Sequence, residues 1–266
     1  MTVRIINTGA DYSATGIFTR SVFPRTFETG RLFAAYFLGT DYPRDPVADY
    51  SGAGRDLTPV GSVPSARLAE DGDGYATLTG ETDKYLCPFS GDDVCAVIDP
   101  DTEAAYGALT FGVIFKAAQD QSLYLVSNFV NGATRWAGLR APTSQRAAAY
   151  ANPGSGNTIS NMPITGDARG DIFQTVHARI ERTALRSIER LPGGTVTTWR
   201  GPAAIADHDP GGANDFIIGG TIAGSQGTGV AQVAAAFFYS GALELADLNA
   251  IRDAVVPFLA ARGVAA

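Results

Sequence analysis

The sequence predicts an all-β chain that is closed by a C-terminal helix, and three observations support this prediction. First, 31 glycines lie among short apolar runs, which favours many strands joined by many turns. Second, segments 216–218 and 230–238 are apolar, lie beside glycine-rich stretches and have the length of buried strands. Third, apolar residues recur at three- and four-residue spacing near the end, as in an amphipathic helix: Leu245, Leu248, Ile251, Val255, Phe258 and Leu259.

Further strands are predicted wherever short apolar or alternating runs lie between turns. One of them, 172–182, alternates between an apolar face and a polar face that carries Thr175, His177 and Arg179, so we expect a half-buried strand. Because Pro257 has no amide proton, the helix is expected to end near Val256 and a short second helix to begin at Pro257. The other predicted strands are 2–7, 32–39, 75–80, 109–115, 122–129, 135–140, 145–151, 184–191 and 195–199.

Two motifs relate the chain to a known family. The first is Ile218-Gly219-Gly220, followed by the segment 236–243 and by Ala246-Asp247-Leu248; the second comprises Asp49, Ser51, Gly52, Gly54, Leu57 and Gly61. Together they resemble the concanavalin A-like (laminin G-like) superfamily of lectins and glucanases. The resemblance implies a jelly-roll sandwich of two antiparallel sheets over residues 32–266, preceded by an extended arm, residues 1–31. Glu244 stands where the family usually has the serine or threonine that caps the helix.

Composition and charge disfavour several classes of partner. The net charge is −7 and the chain contains only two lysines, Lys84 and Lys116, so we expect no nucleic-acid partner and no attraction to anionic membranes. No apolar run reaches the roughly 20 residues of a membrane-spanning helix, so we expect no membrane insertion. The N-terminus lacks the layout of a signal peptide, which predicts a soluble product made without Sec export.

Three other groups of residues allow a structural and a functional interpretation. Cys87 and Cys95 either pair across a turn-rich loop or remain separate thiols, and the second interpretation is favoured. The loop that contains Asp49 and Ser51 is either a structural turn or a ligand or ion site, and the turn is favoured. The acidic turn at 70–74 is interpreted as solvated because the spacing of calcium-binding loops is absent.

We find no constellation that predicts catalysis, a cofactor or a metal. The two-carboxylate strand motif of retaining glucanases is absent, and Glu181 and Glu189 lie among arginines as solvated cross-strand pairs. His177 is interpreted as structural, and His208 lies in an Asp-His-Asp-Pro loop without a nucleophile elbow or a third metal ligand. The chain is therefore predicted not to be an enzyme.

Carbohydrate binding is the chemistry that remains. It needs an aromatic platform with hydrogen-bonding neighbours, and Asn131, Trp136 and Arg140 are the candidate ligand-binding residues. The alternative, that Trp136 is a core or edge aromatic, is favoured for this tryptophan and also for Trp199.

The segment 7–14 resembles the start of virion proteins of tailed phages and related gene-transfer particles. This resemblance implies a bacteriophage structural or adhesion protein of the tail tip, a tail fibre or the head decoration, with a lectin-like domain that binds host surface glycans. The expected partners are other virion proteins and further copies of the chain in a homo-oligomer. The expected location is the virion, assembled in the host cytoplasm. The alternative function is a polysaccharide depolymerase on the same fold.

Overall fold

A computed structural model gives the chain two antiparallel sheets that stack face to face, with a helix against the outer surface of one of them. For four strands, 147–152, 160–164, 184–190 and 196–204, it describes the backbone alone. The structure describes residues 22–68, 72–80, 82–117, 123–130, 136–141, 147–152, 160–164, 173–181, 184–190, 196–204, 212–221 and 229–265.

The described residues form these elements in chain order: β1 (Thr26–Phe27), β2 (Gly30–Phe37), β3 (Thr58–Val60), β4 (Ala76–Thr79), β5 (Lys84–Ser90), α1 (Gly91–Cys95), β6 (Leu109–Ala117), β7 (Leu123–Ser127), β8 (Trp136–Ala141), β9 (Ala147–Asn152), β10 (Ser160–Ile164), β11 (Gln174–Glu181), β12 (Ala184–Arg190), β13 (Val196–Ala204), β14 (Asp215–Ile218), β15 (Val230–Gly241) and α2 (Leu245–Ala260). Sheet A has the strand order β1-β2-β15-β6-β11-β12-β13, and β4 also pairs with β15. Sheet B has the order β10-β9-β8-β7-β14-β5-β3. The predicted all-β sandwich of two antiparallel sheets with a C-terminal helix is confirmed.

Strand β15 lies at the centre of sheet A and is buried on both faces. Phe238 points into the core between the sheets, where its ring centroid lies 5.0 Å from that of Phe216. Its neighbour Phe237 points outward into a second core beneath α2, together with Leu248 and Ile251. Because both faces of the strand are covered, its side chains need not alternate between apolar and polar, which explains the continuous apolar run in the sequence. Truncating either phenylalanine to alanine would cost about 3–5 kcal/mol.

Helix α2 runs unbroken from Leu245 to Ala260, so the predicted end near Val256 is wrong. Pro257 lies in the last turn, where it removes one backbone hydrogen bond. Val255 and Leu259, on either side of it, are both fully buried against sheet A, and this packing keeps the two halves in line. No helix in the described part of the chain is both long enough and apolar enough to cross a membrane.

The polar face of β11 is buried, which corrects the prediction of a half-exposed strand. Thr175, His177 and Arg179 are all less than 9% exposed. The ring of His177 lies 5.3 Å from that of Phe237, and Arg179 bonds to the start of α2. The helix and the second core that cover this face lie far away in the sequence, so alternation within β11 could not reveal them.

The segment that contains the two cysteines is also more ordered than predicted. Cys87 lies in β5 and Cys95 ends the short helix α1, so the interval between them is not a turn-rich loop. Ser90 and Asp93 form a capping box that starts α1: the Ser90 hydroxyl accepts from the Asp93 amide at 3.2 Å, and the Asp93 carboxylate accepts from the Ser90 amide at 2.8 Å. Both thiols are buried and no disulfide joins them, which confirms the interpretation as two separate thiols.

The described part of the predicted arm packs on the sandwich. Phe23 is fully buried and its ring lies 5.1 Å from that of Phe37 and 5.4 Å from that of Phe237. Strand β1 then pairs with the start of β2. Residues 1–21, which include the segment that resembles virion proteins, lie outside the described residues.

Candidate functional site

Strand β8 presents a polar and aromatic face to the outside of sheet B. Ala137, Leu139 and Ala141 point inward and join the core between the sheets. Because side chains alternate along a strand, Trp136 and Arg140 lie together on the outer face, with Gly138 between them. Two of the three predicted ligand-binding residues therefore share one face, while Asn131 lies outside the described residues.

Three aromatic rings meet on this face. The rings of Tyr124 and Phe129 are stacked, with centroids 5.5 Å apart and an angle of 6° between their planes. Trp136 meets both edge-on, at 4.8 Å from Phe129 and 6.3 Å from Tyr124. Edge-to-face and offset-stacked rings attract each other beyond the effect of burial, so the three hold one another in place. We call Tyr124, Phe129, Trp136 and Arg140 the aromatic cluster.

Arg140 completes the cluster with a charge. Its guanidinium carbon lies 5.2 Å from the centroid of the Tyr124 ring, within the range of cation–π attraction. The two residues are direct neighbours across the β7–β8 pair. This attraction restrains the guanidinium beside the ring.

The backbone beneath the cluster is tightly fixed. The Asn128 side-chain oxygen accepts a hydrogen bond from the Ala137 amide at 2.6 Å, and the Asn128 amide donates to the Ala137 carbonyl at 3.1 Å. A Cβ atom at Gly138 would lie 2.9 Å from the Cβ of Ser127 and 3.4 Å from the Tyr124 ring. Glycine at 138 thus permits the close approach of β7 and β8 that brings Tyr124 beside Trp136.

The cluster has a buried layer and an accessible layer. Tyr124 is 3% exposed and Trp136 is 4% exposed, whereas Phe129 and Arg140 are half-buried. The phenylalanine ring and the guanidinium are therefore the members of the cluster that solvent reaches most readily. Trp136 supports them from behind, which agrees with its interpretation as a core or edge aromatic.

Sequence reasoning missed Tyr124 and Phe129. The apolar run 122–129 was predicted to be a strand. Which of its side chains lie beside those of β8 depends on the pairing of the two strands, and a single sequence does not show that pairing. The available signal was the polar hydroxyl of Tyr124 between the core residues Leu123 and Leu125.

The Asp49 carboxylate holds together a structural turn, which is the interpretation that the sequence favours for this residue. The Asp49 carboxylate is fully buried and accepts from the Ser51 amide at 2.8 Å, the Ser51 hydroxyl at 2.7 Å and the Arg55 amide at 3.2 Å. Gly52 and Gly54 have φ of +80° and +75°, which glycine adopts without strain.

Of the two carboxylates considered for catalysis, the structure describes the side chain of Glu181. The Glu181 carboxylate lies 2.8 Å from the Arg179 guanidinium, in a partly buried ion pair where a solvated one was predicted. Only the backbone of Glu189 is described, and His208 and the acidic residues Glu70 and Asp71 lie outside the described residues.

Comparison with known proteins gives structural neighbours only. No family model matches the sequence, and no curated protein matches it. Among solved structures, the receptor-binding domain of botulinum neurotoxin C/D mosaic serotype is similar at a TM-score of 0.58 and 10% identity, over 86% of this chain and 52% of that one. The chain has a β-sandwich fold of this kind.

Two further neighbours are glycan-related. Domain 4 of a GH43 extracellular arabinanase from Geobacillus stearothermophilus, in complex with arabinotriose, has a TM-score of 0.53 and 14% identity over 84% of this chain and 99% of that one. Trypanosoma rangeli sialidase in complex with sialic acid has a TM-score of 0.51 and 12% identity over 86% of this chain and 33% of that one. The chain spans about half the length of the toxin domain, and identities this low establish the fold alone.

Proposed function

We propose that the chain is a carbohydrate-binding adhesion protein of a bacteriophage particle, located at the tail tip, in a tail fibre or as a head decoration. The observation that carries the carbohydrate-binding part is the aromatic cluster with a guanidinium at its edge. The virion part is supported by the resemblance of segment 7–14 to the start of virion proteins. In this proposal the sandwich faces the host, and residues 1–31 contact other virion proteins.

The cluster offers the two kinds of contact that a sugar requires. The apolar C–H face of a pyranose or furanose ring packs on an aromatic ring, here the half-buried ring of Phe129. The N–H groups of Arg140 donate to ring and hydroxyl oxygens within reach of the same ring. Tyr124 and Trp136 restrain both groups, which lowers the entropy lost on binding.

Three of the structural neighbours also support a binding role. They are a receptor-binding domain, an arabinanase domain solved with arabinotriose and a sialidase solved with sialic acid. These neighbours support the proposal of glycan recognition by the present chain, in which the aromatic cluster performs the recognition.

An array of immobilised bacterial surface glycans tests this proposal. We expect binding to a restricted set of glycans, reduced at least about tenfold in Phe129→Ala and Arg140→Ala, since each substitution removes roughly one stacking or hydrogen-bonding contact. The matched control is Arg31→Ala, which removes an exposed arginine from sheet A. Equal binding by all four proteins, or binding to no glycan, would count against the proposal.

The depolymerase alternative is tested on the same glycans. The proposal of binding without turnover predicts that no reducing ends are released. Release that is abolished by Glu181→Gln or Glu189→Gln would instead support the enzyme. Sedimentation velocity measures the proposed homo-oligomer, and a strictly monomeric chain that also fails to bind virion proteins would remove the structural role.

A further inference from the structure

A second candidate site lies beside β3 at one edge of sheet B, whereas the aromatic cluster lies on β7 and β8 in the interior of that sheet. The loops on either side of β3 enclose an open groove of about 470 Å³, which is within the range of small-molecule sites. Its more buried lining is apolar and consists of Pro43, Val47 and Ala48. Its exposed rim carries charges of both signs: Arg44, Asp45, Asp56 and Arg67.

The rim is held in place by the buried Asp49 turn. The Arg44 guanidinium donates to the Asp49 carbonyl at 2.7 Å and lies 5.3 Å from the centroid of the Tyr50 ring. The Asp49 amide donates to one carboxylate oxygen of Asp56 at 2.9 Å. The groove is thus largely formed before any ligand arrives.

The rim also retains unused hydrogen-bonding groups. Asp45 accepts from the Arg67 amide at 2.8 Å through one oxygen, which leaves its second oxygen without a partner among the described residues. The second oxygen of Asp56 is likewise without a partner there. Within the described part of the chain, the guanidinium of Arg67 has no hydrogen-bond or ion-pair partner.

The mixture of charges selects the class of ligand. For a lone anion, attraction by Arg44 and Arg67 is offset by repulsion from Asp45 and Asp56. The reverse holds for a lone cation, so neither ion gains a net attraction. A hydroxyl group both donates to a carboxylate and accepts from a guanidinium, so a compound with several hydroxyls satisfies both signs at once. Its C–H groups would pack on the apolar floor.

We infer that this groove binds a neutral polyhydroxy compound, a monosaccharide unit or a similar polyol, independently of the aromatic cluster. The inference does not depend on the virion role. It requires only that the neighbouring residues Arg67 and Asp45 both contact the ligand, through guanidinium and carboxylate, while the Asp49 turn keeps the loop rigid.

The test is an amide NMR titration of the ¹⁵N-labelled chain with methyl α-D-mannopyranoside, methyl α-D-glucopyranoside and methyl β-D-galactopyranoside, with glycine as a zwitterionic comparison. We expect saturable shifts from at least one glycoside at residues 44–56 and at Arg67. Arg67→Ala and Asp45→Asn should weaken this binding about tenfold. Both variants retain the hydrogen bond from the amide of residue 67 to the side-chain oxygen of residue 45, so we expect the loop that contains residue 45 to stay folded.

Two controls separate this site from others. Arg31→Ala removes an equal charge elsewhere and should leave the titration unchanged. The titration is also repeated on Arg140→Ala, in which the aromatic cluster is impaired. The shifts at 44–56 should persist in this variant, because they report binding in the groove. The inference is overturned if no glycoside gives saturable shifts there, if glycine alone does, or if Arg67→Ala leaves the affinity unaltered.

Discussion

The guanidinium of Arg179 lies 2.8 Å from the carboxylate of Glu244, and this contact ties the middle of sheet A to the start of helix α2. The same guanidinium also bonds to Glu181 at 2.8 Å and to the Leu243 carbonyl at 3.1 Å. The Arg179 side chain is 8% exposed, so these bonds lie largely out of solvent. Sheet and helix are thereby joined by charge as well as by apolar packing.

Replacing Arg179 by alanine should lower the free energy of unfolding by about 2–4 kcal/mol. The substitution leaves two carboxylates and a carbonyl without their shared donor, but Glu244 and Glu181 are partly exposed and can hydrate, which limits the loss. Urea denaturation measures the effect. Arg252→Ala is the control: within the described part of the chain its guanidinium pairs with the exposed Asp253, and we expect a change of roughly 0.5 kcal/mol or less.

Gly241 should tolerate no side chain. Its φ is +102° and an added Cβ would collide with the carbonyl oxygen of Thr29, so Gly241→Ala combines backbone strain with a clash against β1–β2. We expect a loss of at least about 3 kcal/mol. Gly54→Ala is matched to it: φ is +75° but no atom lies within 4 Å, so only strain of about 1–2 kcal/mol applies. Equal losses in the two variants would show that crowding at Gly241 is unimportant.

The buried tyrosines make the fold sensitive to alkali. Burial raises the pKa of Tyr50 to about 12, and burial also raises the pKa of Tyr36, Tyr85 and Tyr239. The folded pKa values exceed the unfolded value of about 10, so their contribution to stability is complete below about pH 10 and is lost at higher pH.

Urea midpoints measured at a series of pH values, together with tyrosinate absorbance, check this prediction. The midpoint should hold up to about pH 10 and then fall, with most tyrosinate appearing only as the chain unfolds. Tyr50→Phe should make the fall of the urea midpoint with pH shallower, because it removes the contribution of one tyrosine. Ionisation of most tyrosines near pH 10 in the folded protein would be inconsistent with their burial.

Both thiols should be unreactive in the folded state. Cys87 is 2% exposed and Cys95 is 8% exposed, and burial, together with nearby Asp215, raises the pKa of the Cys87 thiol well above its ordinary value. Because the thiolate is the reactive form, a thiol reagent such as DTNB should label neither cysteine at neutral pH and both after denaturation. Rapid labelling of the native chain would require an open segment around β5 and α1.

The sequence predicted most of the strands but not which strands pair with one another. The apolar runs that became β2, β6, β14 and β15 were visible because burial on one or both faces leaves a local pattern. Strand β5 was hidden by Cys87, Pro88 and Ser90, and the burial of His177 and Arg179 depends on α2, about 65 residues away along the chain. Long-range docking of this kind leaves no local pattern.

The sequence predicted only part of the candidate site, again because contacts between distant segments leave no local pattern. Trp136 and Arg140 share a face by alternation within one strand, which can be inferred locally. Tyr124 and Phe129 join them only through the pairing of β7 with β8, and the groove between Arg44 and Arg67 forms only when loops distant in sequence meet.

The fluorescence of Trp136 provides the most direct test of carbohydrate binding by the aromatic cluster. In a Trp199→Phe background, Trp136 is the only tryptophan, and its ring touches Phe129. A glycan to which the chain binds on the array should change the emission of Trp136 saturably when it is added in solution. Arg140→Ala should raise the glycan concentration at the midpoint of this titration at least about tenfold. Glycan binding that leaves the emission of Trp136 unchanged, with the same affinity in Arg140→Ala, would contradict the proposal.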